Sequence, residues 1–306
     1  MSSASALTYR DRSRFTLREA IFELHGTERR QNLKRIAVSE LDEIQASLLG
    51  ESPQTRDGLV RDIGSSTVAL FAVTESREGD RLQLAGTGTL VIVAGSHYVL
   101  TAAHVWEEIL KSAARIGITL KENVDHQFLM EGNSIVATGP QKPTSWGEWG
   151  PDLTFLRIPP AYLGSIYAHR VFYNLTIERT ALGDVNHIET WALMGTPKAS
   201  GEFTRMHADL QIQGIFPQVG QPHIHEGFDY LDLDIDVSSP GTPQDFRGVS
   251  GGGLWKVLIY KSVSTGKVDS RTSLEGVAFH QSDLEKGRRI IRCHGLQSIR
   301  AAMPRA

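Results

Sequence analysis

Phe246-Arg247-Gly248-Val249-Ser250-Gly251-Gly252-Gly253-Leu254-Trp255 sets a serine inside a run of glycines. An apolar stretch follows at once: Leu254, Trp255, Val257, Leu258 and Ile259. Glycine turns the backbone tightly and lets it approach a ligand closely. A serine on such a turn presents its hydroxyl while neighbouring backbone N–H groups converge on one spot. A nucleophile and an oxyanion hole share a loop in this way. Taken alone, a Gly-x-Ser-Gly-Gly run also describes an ordinary glycine-rich turn, and its meaning comes from the residues upstream.

Those residues read as short strands. Ser66 to Val73 and Gly86 to Val93 are rich in apolar and β-branched residues, and the second run turns at Gly95-Ser96 into Tyr98-Val99-Leu100-Thr101. Leu153 to Ile158 alternates and stops at Pro159-Pro160. Thr190 to Thr196 reads as a buried strand, and Phe228 to Val237 alternates apolar residues with aspartates. Leu274 to His280 and Arg289 to Cys293 follow the serine loop, and a short helix over about Leu296 to Met303 closes the chain. Strands with turn residues between them, and no βαβ rhythm, predict an all-β barrel or sandwich.

The chain has 306 residues, 40% of them hydrophobic and 22% charged, enough for one large domain or two moderate ones. A net charge of −3 gives no support for nucleic-acid binding. With one cysteine, Cys293, no intrachain disulfide forms. The first 24 residues have no apolar stretch, so no secretory leader is expected. No run reaches the roughly 18 apolar residues of a membrane span. These features together suggest a cytoplasmic protein.

Two further residues carry chemistry. Val99-Leu100-Thr101-Ala102-Ala103-His104 delivers a histidine from a strand into a turn of small residues, ahead of a helical pattern (Val105, Trp106, Ile109, Leu110). Asp152 opens an apolar strand directly after a loop. Each alone is an ordinary structural histidine or loop aspartate. Together with Ser250 they form a set. A serine hydroxyl needs a base to take its proton, a near-neutral imidazole suits that role, and a buried carboxylate fixes the imidazole tautomer.

On these motifs the chain resembles the trypsin-like (chymotrypsin-fold) serine peptidases. Leu100-Thr101-Ala102-Ala103-His104 matches the family's histidine motif, and Asp152-Leu153-Thr154-Phe155-Leu156 is similar to its aspartate motif, though looser. Gly248-Val249-Ser250-Gly251-Gly252 resembles the serine motif, and Gly276-Val277-Ala278-Phe279 resembles the strand lining the substrate cleft. The resemblance covers about residues 60 to 306. It implies two six-stranded antiparallel β-barrels with the site between them: 58–170 carrying His104 and Asp152, and 171–306 carrying Ser250. It further implies an oxyanion hole from the N–H groups of Gly248 and Ser250, no cofactor and no metal. Residues near Gln244 and Asp245, with Phe279, His280 and Gln281, would form the primary side-chain pocket. Asp245 there would favour a basic substrate residue, whereas His280 and Gln281 would favour an acidic or amide one.

The departures from the family also carry information. Secreted members hold an Asp where this chain has Val249, so activation through a newly cut N-terminus is not expected. Gly253 stands where a proline is common. A loop with three glycines and no Asp anchor is expected to order only when substrate or a partner binds. Residues 1–57 differ from the rest: Leu17, Ile21 and Leu24, then Leu33, Ala37, Leu41, Ile44 and Leu48, fall at helical spacing. This N-terminal helical arm is expected to pack on the barrels or to dock a regulatory protein.

Other clusters are weaker. His223-x-His225 with Glu226 has two of a metal's ligands but no third. Asp229, Asp232, Asp234 and Asp236 lack calcium-loop spacing and read as a solvated strand face. Cys293 reads as a small core residue. Asp125 is a remote stand-in for Asp152. The expectation is therefore an intracellular serine endopeptidase acting on a protein or peptide. A latent protease-fold scaffold is the alternative. An α/β-hydrolase is excluded, because its triad runs Ser, Asp, His and needs βαβ units.

Overall fold

A computed structural model describes residues 53–75, 81–112, 115–120, 127–139, 148–177, 186–198, 201–203, 208–239, 242–262 and 264–305. The helical stripes expected over Leu17 to Leu48, and Asp125, lie outside the described residues.

The first half holds β1 (Thr67–Thr74), β2 (Arg81–Val93), β3 (Ser96–Thr101), β4 (Arg115–Thr119), β5 (Gln127–Glu131), β6 (Val136–Thr138), β7 (Thr154–Arg157) and β8 (Tyr173–Asn174). Its sheet runs β5-β4-β1-β2-β3-β7-β6, with β8 added in parallel beside β2. β5 and β6 lie at opposite ends of that order, yet only the single turn Gly132–Ser134 and Ile135 separate them in the chain. They are one strand bent at a corner, so the sheet closes on itself. Counted that way, the sheet is a six-stranded antiparallel barrel.

The second half repeats the plan. It contains β9 (His187–Gly195), β10 (Gly201–Phe203), β11 (Ala208–Leu210), β12 (Gln213–Ile215), β13 (Gln218–Val219), β14 (His223–His225), β15 (Phe228–Asp236), β16 (Gly253–Lys261), β17 (Val268–Gln281) and β18 (Arg288–Gly295). The order is β12-β9-β16-β17-β18-β15-β13, with β14 beside β15 and a separate β10–β11 hairpin. β12 and β13 again end the order and again adjoin in the chain, bent at Phe216-Pro217. Two such barrels, in this strand order, make the fold chymotrypsin-like.

The alternation read from sequence assigns the faces. Along β1, Val68, Leu70 and Ala72 enter the first barrel's core, while Ala69, Phe71 and Val73 pack with Leu84 on the other face. Leu231, Leu233 and Ile235 fill the second core. A third cluster is the seam between barrels, where Tyr98, Leu100, Leu153 and Phe155 of the first meet Ala192, Met194, Trp255 and Val257 of the second. Burying large apolar side chains on both sides of the seam fixes one barrel against the other.

Four helices occur among the described residues: α1 (Pro53–Gly64), α2 (Ala103–Ser112), α3 (Pro160–Tyr167) and α4 (Leu296–Ala302). α1 crosses the boundary at 57/58, where the sequence suggests strands begin. Leu59 and Ile63, one helical turn apart, are buried in the seam and hold it there. None of the helices among the described residues is long and apolar enough to cross a membrane.

The aspartate row of β15 runs from a half-buried Asp229 to an exposed Asp236, and three of its carboxylates have partners. Asp229 accepts the N–H groups of Gln297 and Ser298 at 3.1 and 2.6 Å, capping α4. Asp232 pairs with Arg292 at 2.8 Å and Asp234 with Arg288 at 2.7 Å, both on the neighbouring β18. The antiparallel pairing of β15 with β18 sets Asp232 directly opposite Arg292 and Asp234 diagonal to Arg288.

Candidate active site

β3 ends at Thr101, and α2 begins two residues later, so His104 lies in the first turn of α2. Val105 and Ile109 of that helix are buried in the first core and fix its orientation. Asp152 lies just ahead of β7 and is 4% exposed. Its Oδ1 accepts the His104 backbone N–H at 2.9 Å, and its Oδ2 lies 2.5 Å from His104 Nδ1. One carboxylate therefore grips both the main chain and the ring. A carboxylate accepts only, so Nδ1 carries the proton and Nε2 is left as the basic nitrogen.

Ser250 comes from the loop between β15 and β16. Gly248 and Gly251 have φ of +93° and +87°. A Cβ on Gly251 would lie 2.0 Å from both Thr101 Oγ1 and the Thr87 carbonyl, so only glycine fits there. The loop is tied to both barrels. Thr87 on β2 donates its N–H to the Ser250 carbonyl at 2.8 Å and its hydroxyl to the Gly248 carbonyl at 2.6 Å. The same hydroxyl accepts the Thr196 N–H at 2.9 Å. Gly251 donates to Ala278 at 2.7 Å, Ala278 returns a bond to Gly252 at 2.9 Å, and Lys198 donates to Arg247 at 2.7 Å. Val249 is buried and closes over Gly195. The expected softness of the loop therefore meets a different arrangement: ties from Thr87, in the first barrel, and from β17 hold it where an Asp anchor is missing.

Along this loop the N–H groups of Val249, Gly251 and Gly252 all donate to backbone carbonyls. Among the described residues those of Gly248 and Ser250 donate to none. The Ser250 hydroxyl also forms no hydrogen bond among the described residues. Such bonds are often long in a free enzyme and tighten when substrate binds. The two halves converge at Gly86, where an added Cβ would meet the Val105 side chain at 2.6 Å and the Ser250 carbonyl at 2.8 Å. Val105 is the residue beside His104.

A cavity of about 210 Å³ opens beside Ser250, lined by Phe246, Arg247, Val249, Ala278, Phe279, His280, Gln281 and Ile291. Of the residues expected in such a pocket, Phe279, His280 and Gln281 line it, whereas Gln244 and Asp245 do not. Asp245 accepts from the Arg247 N–H at 3.0 Å, the Arg247 guanidinium at 2.5 Å and the Gln281 amide at 3.1 Å. Burial pushes its carboxyl up, but those hydrogen bonds outweigh it and hold the group below its ordinary value. Asp245 braces the wall and leaves no free carboxylate on the pocket floor. His280 is pushed down, first by burial and then by the Arg292 cation, so at neutral pH it is an uncharged imidazole able to donate one hydrogen bond.

Several residues here carry no motif. Trp149, three before Asp152, tilts against His225 at 4.4 Å and carries the Arg292 guanidinium at 3.8 Å from its ring centre. Arg292 also pairs with Glu148 at 2.9 Å. His223 and His225 therefore sit against an aromatic ring, and no group of three or more metal-ligating side chains occurs among the described residues. Cys293 is fully buried and its thiol is pushed up by burial, which makes it inert as a nucleophile.

No protein-family model matches the chain, and no curated protein matches it in sequence. Among solved structures it is similar to one from work on the Sesbania mosaic virus VPg protein. That match has a TM-score of 0.42 and 13% identity, over 79% of this chain and 91% of that one. It is also similar to catalytically active tobacco etch virus protease complexed with product (0.37, 11%, 81% and 79%) and to tobacco vein mottling virus protease (0.35, 10%, 76% and 78%). Superpositions this loose carry no further weight. The fold is defined by the strand order itself.

Proposed function

We propose that the chain is a serine endopeptidase of the trypsin-like kind. The observation that carries this is the double grip of Asp152 on His104, set across Gly86 from a serine loop with two undonated N–H groups. Ser250 is the nucleophile, and His104 Nε2 takes its proton and later returns it to the leaving amine. Asp152 holds the ring and stabilises the imidazolium. The Gly248 and Ser250 N–H groups receive the oxyanion. The acyl group on Ser250 is released by water.

The pocket chemistry supports a substrate side chain that accepts a hydrogen bond. His280 offers an N–H, and the lining has no carboxylate. Glutamate and glutamine meet these terms, and lysine and arginine do not. Residues 1–57 are assigned a regulatory or docking role.

A peptide-library digest resolved by mass spectrometry tests the reading. Native protein is expected to cut after Glu or Gln, and Ser250→Ala is expected to cut nothing. Cleavage that survives in Ser250→Ala would sink the peptidase reading. Cleavage after Lys or Arg would leave the peptidase standing and overturn the pocket assignment.

A further inference from the structure

His294, near the end of β18 in the second barrel, has no place in the reading above, yet it is completely buried and touches Asp152. Its Nε2 accepts the Asp152 backbone N–H at 3.0 Å. The ring stacks on Phe279 at 4.4 Å and 24°, tilts against Tyr230 at 5.2 Å, and meets the edge of Phe228 at 6.0 Å. Gly150 lies so close that an added Cβ would reach the ring at 2.6 Å. These contacts enclose the ring, and the bond from the Asp152 N–H assigns its orientation.

The bond fixes the tautomer. An Nε2 that accepts must be unprotonated, so the ring proton sits on Nδ1. Nδ1 is buried and, among the described residues, has no partner. An unpaired buried N–H is costly, and such a group calls for an explanation. The Asp152 backbone supplies one. The Asp152 carboxylate spends both oxygens on His104, so its own placement depends on how its peptide is held.

We infer that His294 is a positioning residue for the catalytic aspartate: it fastens the Asp152 peptide from the opposite barrel and so sets the carboxylate that orients His104. The inference rests on the peptidase reading for its consequence in turnover, but not for its geometry. It also gives an acid limit. The ionisable groups facing the ring are Asp152, ahead of β7, and Asp229 and Tyr230, on β15. Both carboxylates favour the imidazolium, yet burial outweighs them and holds His294 down to about 4. Once protonated, Nε2 becomes a donor aimed at another donor, and the Asp152 peptide is released.

Long-range ¹H–¹⁵N spectra of the intact protein test this without any variant. His294 is expected as the Nδ1-protonated neutral tautomer at pH 7, and the His104 Nδ1 proton as a far-downfield resonance. His294→Leu removes the acceptor, and His294→Gln restores one through its amide oxygen. In the Leu variant the His104 resonance is expected to broaden or vanish, and kcat to fall roughly 10- to 100-fold with KM little changed, as a misplacement of order 1 Å produces. The Gln variant is expected to recover most of both and to lose the acid limb. A native His294 protonated on Nε2 would overturn the inference. So would a Leu variant that melts like native, keeps the His104 resonance and keeps kcat. If the protein hydrolyses nothing, the peptidase reading fails, while the tautomer and the His104 resonance still decide the placement of Asp152.

Discussion

The two sides of the cleft are built to different degrees. On the first barrel the pair is closed: Asp152 is 4% exposed and both its oxygens are engaged by His104. On the second barrel the backbone is pinned while the chemical groups are open. The Ser250 carbonyl is held by Thr87, whereas the Ser250 hydroxyl and the N–H groups of Gly248 and Ser250 have no bond among the described residues. The difference is physical. A buried carboxylate must be satisfied before substrate arrives, because an unpaired buried charge is expensive. Donors meant for a charge that forms only in the transition state are best left aimed and empty. On the proposed reading, the side that stores charge is complete and the side that awaits charge is scaffolded.

Breaking the closed side is expected to cost most. Asp152→Asn preserves shape but gives Nδ1 no anionic partner, and kcat is expected to fall by roughly four orders of magnitude, read by steady-state hydrolysis. An effect under tenfold would mean that Asp152 is only a cap. Next comes the meeting point. Gly86→Ala puts a methyl group 2.6 Å from Val105 and 2.8 Å from the Ser250 carbonyl, so the two sides must part. A loss of about 10²-fold or more in kcat is expected even where circular dichroism stays native.

The scaffold of the open side is the third target. Thr87→Val removes one hydroxyl and leaves both the Gly248 carbonyl and the Thr196 N–H without their partner. A fall of roughly 10- to 100-fold in kcat is expected, with weaker binding of a phosphonate transition-state mimic, and Thr87→Ser should restore both. Equal losses in the Ser and Val variants would show that the hydroxyl alone does not hold the loop.

The smallest effect expected is a dependence of stability on acid. His294 sits near 4 in the fold against an ordinary 6.5. Its folded pKa is depressed, so the neutral form is the one folding favours. That contribution is whole above pH 6.5 and is lost as pH falls through about 4, on the order of 3 kcal/mol. Thermal melts across this window should fall less steeply in His294→Gln than in the native protein. Parallel curves would remove His294 from the acid limit.

Much of this was legible before any coordinates. His104, Asp152 and the turn that carries Ser250 could be picked out only as a set, because each alone reads as an ordinary turn or loop residue. Strand alternation assigned the core faces. The split strands at Gly132–Ser134 and Phe216-Pro217 were not legible, since a corner in a barrel leaves only short irregular sequence. Thr87 and His294 were missed for another reason. Their partners lie 161 and 142 residues away, and nothing local marks a threonine between glycines or a histidine on an apolar strand as special. Asp245 misled because spacing places a backbone but not the direction of a carboxylate, and here Arg247 and Gln281 claim it.

The most direct measurement is site mapping with an aryl phosphonate that reacts with activated serines, by intact mass and then fragment sequencing. One adduct per chain, on Ser250, lost in both Ser250→Ala and His104→Ala, is the predicted result. An unmodified native protein, or an adduct that persists when either residue is replaced, would contradict an assembled serine–histidine–aspartate site.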